Sequence, residues 1–69
     1  MTARDIYFNL ESLRERAGYT IGEFVDMMGI SRWAWWHWSK EPEVMQLWAV
    51  ERAAQVLKVP LSEVFRRRT

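Results

Sequence analysis

Residues 20–40 read TIGEFVDMMGISRWAWWHWSK, an order that spells two short helices joined by a tight turn. Thr20 is followed three positions later by Glu23, which lets each side chain bond the other's free backbone amide at a helix start. Phe24, Val25 and Met28 form an apolar stripe behind that cap, and Tyr19 in front of it is placed to staple against Phe24. Gly29 suits the turn that stops the chain, so a helix is predicted over about 21–28. Ser31 can cap the next helix, predicted over about 32–39. Advancing about 100° per residue from Arg32, Trp36, Lys40, Trp33 and His37 fall between about 40° and 140°, whereas Ala34, Trp38 and Trp35 fall between about 200° and 300°. The tryptophan cluster therefore has two faces, and Trp35 and Trp38 are the ones expected in the core.

Upstream, Ile6, Leu10, Leu13 and Ala17 recur at helical spacing and predict a first helix from about Arg4 to Ala17, closed by Gly18. Glu11, Arg14 and Glu15 point away from that stripe and are expected to pair only weakly in solvent. Downstream, Lys40 to Glu43 reads as a connector, because Pro42 is tolerated only in the first turn of a helix. Val44, Leu47, Val50, Ala53, Ala54 and Leu57 then form the stripe of a fourth helix. Trp48 lies beside it, with Glu51, Arg52 and Gln55 outside. Pro60 and Leu61 open a last short helix, roughly to Arg66, with Leu61, Val64 and Phe65 inward and a basic tail over 66–69. The reading is an all-α, five-helix single domain over 1–69.

Composition agrees with this architecture and excludes much else. A chain of 69 residues has room for one domain, and its 3 Gly and 2 Pro leave little material for hairpin turns. With no cysteine there are no disulfides, thiolate metal sites or thiol nucleophiles, which suits a reducing cytoplasm. Neither a secretory signal nor a membrane span is visible, since the longest apolar run is Trp33 to Trp38. A net charge of +1 supplies no overall positive field, so any basic footprint has to be local. The acidic residues are scattered over predicted outer faces, and no phosphate loop or nucleophile with a positioned base is present, so no enzyme is expected. No cofactor, metal or small-molecule substrate is expected either, and His37 has no second ligand beside it.

From Leu10 to Phe65 the order of signals resembles the Cro and phage-repressor family of helix-turn-helix domains. The matching pieces are Leu13-Arg14 and Gly18, Thr20 to Gly29, Ile30-Ser31-Arg32, Trp38, the series Leu47, Val50, Ala53, Ala54, Leu57 and Val59, and the closing Leu61 to Phe65. The resemblance implies a compact lambda-repressor-like fold whose third helix enters the major groove of duplex DNA while the second crosses above it. It places Arg32, Trp33 and His37 at base-contacting positions with Trp36 beside them, and makes Thr20, Ser31 and Lys40 phosphate anchors. It further implies a homodimer with Val64 and Phe65 near the dimer contact, and a phage or prophage-type transcription regulator working by operator occupancy.

Two positions differ from the family's usual pattern. Ile21 stands where many relatives carry Gln, and Trp33 and Trp36 stand where small or amide residues are usual. Indole offers one donor and no acceptor, so it reads base edges poorly. These differences support an alternative reading, a helix-turn-helix scaffold whose Trp33/Trp36 face binds a protein such as an antirepressor or a subunit of a regulatory complex.

Overall fold

Small polar residues fix where the first three helices begin. The structure, a computed structural model, describes residues 1–67, so Arg68 and Thr69 of the basic tail lie outside the described residues. Helix α1 spans Ala3–Ala17, entered through a reciprocal cap in which Thr2 accepts from the Asp5 amide and Asp5 accepts from that of Thr2. It starts one residue ahead of the expected Arg4 because the Thr2-to-Asp5 spacing builds this cap. Gly18 closes α1 at φ 84°, a left-handed conformation that costs glycine little. Helix α2 spans Ile21–Met28 behind the expected Thr20–Glu23 box and ends at Gly29, φ 73°. After Ile30, Ser31 Oγ accepts from the Ala34 amide at 3.1 Å, and α3 runs Arg32–Lys40.

Beyond α3 the boundaries move. Pro42 is buried and opens a 3₁₀ turn over Pro42–Val44, and α4 begins only at Leu47, running Leu47–Leu57. Val44 therefore sits outside α4, and both Val44 and Leu47 are exposed, Leu47 at 63 %. The expected apolar stripe holds from Val50 onward, with Ala49 buried beside it, because Val44 belongs to a separate 3₁₀ turn and Leu47 is the first, exposed residue of α4. Helix α4 closes at Lys58, a non-glycine residue at φ 58°. Helix α5 is a single turn, Leu61–Val64, shorter than the expected reach to Arg66. Of the three residues expected inward there, Val64 is fully buried while Leu61 and Phe65 remain partly exposed, since one helical turn turns only one of them toward the core. The fold is all-α with five α-helices and no strand among the described residues. None of these helices is long and apolar enough to cross a membrane.

The core is built around Trp35, which is 2 % exposed. Its ring packs tilted on Tyr7 at 4.9 Å, edge-on to Phe24 at 5.2 Å and edge-on to Trp38 at 6.1 Å, joining α1, α2 and α3. Leu10, Val25, Met28, Val50, Ala53, Ala54 and Leu57 complete the packing from α1, α2 and α4. Ala17 is exposed, and the inward position of α1 that the apolar spacing left unread is Tyr7.

Polar groups fasten the helices at three further places. Arg14 and Glu11 are largely buried, in contrast to the solvent pairing expected of them, with Arg14 Nε 2.8 Å from Glu11 Oε1. Arg14 also donates to the Tyr19 carbonyl at 2.6 Å, and Glu11 accepts the Trp35 indole N–H at 3.2 Å. Hydrogen bonding to Glu11 raises the Arg14 pKa further, and burial opposes it. Asn9, buried in α1, donates to the Val64 carbonyl at 2.7 Å and the Arg66 carbonyl at 2.8 Å, tying α1 to the end of α5. Arg52 of α4 donates to the Met28 carbonyl at 3.0 Å and so supports the turn between α2 and α3.

Candidate functional site

Helix α3 has an inner face locked by Trp35 and Trp38 and an outer face of Trp33, Trp36, His37 and Lys40, as its angular pattern requires. Trp33 is 64 % and Trp36 54 % exposed, whereas Trp38 is 8 %. Two indoles one turn apart on a surface are costly to leave in water, since each carries a large apolar area.

Each outer indole has a basic side chain against it. The His37 ring stacks on Trp33 with centroids 4.8 Å apart and planes 28° apart. Lys40 Nζ lies 5.9 Å from the centre of the Trp36 ring, within reach of a cation–π attraction. His37 Nε2 is also 3.3 Å from Glu41 Oε2, one turn further along the chain.

Arg32 is exposed at the start of α3, and its guanidinium lies directly against Gly22 in α2. A methyl group at residue 22 would collide with Arg32 Nη2 and come within 3.3 Å of Cζ. The positive charge therefore rests at the first turn of α2, where the helix dipole is also positive. Thr20 stands at the same corner, but its capacity is partly spent. Its hydroxyl accepts from the Glu23 amide at 3.1 Å, and its own amide donates to Glu23 Oε1 at 2.8 Å. The bond from the Thr20 backbone amide first, and then the Thr20 side chain, hold the Glu23 carboxyl below its ordinary pKa, so a negative charge sits beside the expected phosphate anchor. The first-turn amides left for a ligand are those of Ile21 and Gly22. Ser31 likewise caps α3 with its oxygen while its hydroxyl proton stays available to donate.

The structure thus brings Arg32 to the Thr20 end of α2, Trp33 to His37, and Trp36 to Lys40 along one outer face. It does not bring Val64 to any surface, because that side chain is 0 % exposed within its own chain. Phe65, 39 % exposed, is the member of that pair able to touch a second copy.

Other exposed features were not legible beforehand. Trp48 stacks under Arg52, whose guanidinium carbon is 5.2 Å from the ring, and donates to Gln46 Oε1 at 2.6 Å. Arg52 makes its backbone contact 24 residues away in sequence, a separation at which no local pattern carries a signal. Between the ends of α1, α4 and α5, a groove of about 400 Å³ opens over Leu13, Ala17, Leu57 and Val59, edged by Arg16, Glu63 and Arg66. Among the described residues no group of three or more His, Asp or Glu side chains converges as a metal site would require. Compared with known protein families, curated proteins and solved structures, the chain finds no match in any of the three.

Proposed function

We propose that this chain is a Cro-like, phage or prophage-type transcription regulator that binds duplex DNA through the outer face of α3 and acts by covering an operator. The observation that carries this reading is the division of α3. Trp35 and Trp38 anchor one side in the core, so the other presents Arg32, Trp33, Trp36, His37 and Lys40 outward directly after a tight glycine turn. In that pose α3 lies in the major groove and α2 crosses the backbone. Arg32 is the side chain suited to guanine, because its planar fork donates two parallel bonds. Lys40, Ser31 and the Thr20 corner supply phosphate contacts. Two copies joined near Phe65 would read a two-part site, and the protein would work in the cytoplasm without catalysis or cofactor.

A second reading is favoured by the apolar surface itself. Beside the exposed Trp33 and Trp36 of α3, Ile21 and Met27 of α2 are also exposed, side chains that suit a protein partner better than phosphate.

Titration with mixed-sequence duplex DNA at two salt concentrations, following tryptophan emission, separates the two. DNA recognition predicts binding that weakens steeply with salt, as counterion release demands. On a selected operator, Arg32→Ala should then cost about 1–3 kcal/mol and relax discrimination at one base pair. Equal operator affinity in wild type and Arg32→Ala removes Arg32 as a base reader. Absence of binding to any DNA, paired or unpaired, at low salt, with the fold intact by circular dichroism, transfers the function to the protein-partner reading.

A further inference from the structure

Trp33 and Trp36 meet an intact duplex poorly. Base pairs present their edges to the grooves and hide their faces in the stack, while an indole has one donor, no acceptor and a broad π-face. Both rings are more than half exposed, three residues apart, which is about 4.5 Å of helical rise. The His37 ring stacks on Trp33 and Lys40 Nζ lies over Trp36, and more than half of each tryptophan remains open to solvent. Arg32 adds a positive charge at the start of the helix, where its guanidinium lies against Gly22, and the acidic Glu41 is engaged with His37 at 3.3 Å. Exposed aromatic faces with Lys and Arg charges near them suit single-stranded nucleic acid, bases stacking on the rings and phosphates following the charges.

We infer that the outer face of α3 binds unpaired bases, one stacked on Trp33 and one on Trp36, so that the protein prefers DNA with a locally opened base step to a fully paired duplex. This rests on the reading of the chain as a DNA-binding regulator and names the state of DNA that the regulator selects. Lys40, a phosphate contact in that reading, holds the backbone beside the opened step. The cost of unpairing makes the preference greatest where the step is already open.

The test uses the whole chain and three labelled oligonucleotides of one sequence: a paired duplex, the same duplex with three central mispaired positions, and the single strand. The opened duplex should bind about tenfold more tightly than the paired one and quench tryptophan emission. Trp33→Ala and Trp36→Ala should each reduce that advantage by about fivefold or more. Trp36→Phe should keep most of it and Trp36→Leu should lose it, because stacking needs a ring whereas contact with a thymine methyl or an apolar protein surface does not. Both positions are exposed, and circular dichroism of the variants checks the fold. Equal affinity for paired and opened duplexes overturns the inference and leaves the regulator reading standing. Binding of opened DNA alone supports the inference and removes the paired-duplex reading. No binding to any of the three overturns both.

Discussion

The guanidinium of Arg32 occupies the space that a side chain at Gly22 would fill. The first residue of the third helix is thus laid over the second, and the glycine in that second helix is there to receive it. The end of a flexible, exposed side chain is easily displaced, so Gly22→Ala should fold well. Alanine should raise stability by about 0.5–1 kcal/mol through its helix preference, read from urea denaturation. The same variant should weaken operator discrimination, by less than Arg32→Ala because the displaced guanidinium is still present, and a variant that gained stability with discrimination intact would detach base reading from this corner.

Asn9→Ala removes two donors from carbonyls of the closing segment, those of Val64 and Arg66. A loss of about 2–3 kcal/mol is expected in urea denaturation, the sum of two lost bonds and a poorly satisfied acceptor pair. Asn9→Asp should be worse at neutral pH, since a carboxylate would face two carbonyl oxygens, and should recover partly in acid as the side chain regains a proton to donate.

Tyr7 gives the fold an alkaline limit. Burial first, and then the Glu11 charge, push its hydroxyl up to about 12, against the lowering effects of a Ser39 hydrogen bond and of Arg14. The folded chain thus keeps a proton that the unfolded chain releases near 10.0. The stabilisation is complete below that value and is lost as pH rises toward 12, by about 2–3 kcal/mol in all. Urea midpoints measured on both sides of pH 10 should show the decline, and Tyr7→Phe should flatten it.

Lys58 closes the fourth helix in the left-handed region at φ 58°. Glycine adopts that conformation without a Cβ penalty, so Lys58→Gly should stabilise by about 0.5–1 kcal/mol, seen as a higher melting temperature. A loss would mean that the lysine side chain contributes more than its backbone strain costs.

How far the sequence could be read follows from the range of each signal. The Thr20–Glu23 box, Gly18, Gly29 and the angular split of the tryptophans act within one or two turns, and the structure places them where the pattern does. Leu47 departs from the expected stripe because apolar spacing carries no information about where a connector ends, and Pro42 starts a separate turn. The partnerships of Glu11 with Trp35, Asn9 with Val64 and Arg52 with Met28 span 24 residues or more. They depend on packing and leave no local trace. At the outer face of α3 the residue types were legible, whereas the lean of Arg32 onto Gly22 and the stacking of His37 on Trp33 belong to the folded geometry.

The clamp made by Asn9 also sets an order of events during synthesis. A side chain near the beginning of this segment waits for carbonyls at residues 64 and 66, and Tyr7 and Leu10 wait for Trp35 and the fourth helix. While the ribosome still holds the later residues, α1 and the tryptophan-rich segment have emerged without the surfaces that cover them. Such a nascent chain exposes aromatic groups to any chaperone at the tunnel exit, and the domain closes only after residue 66 has left it.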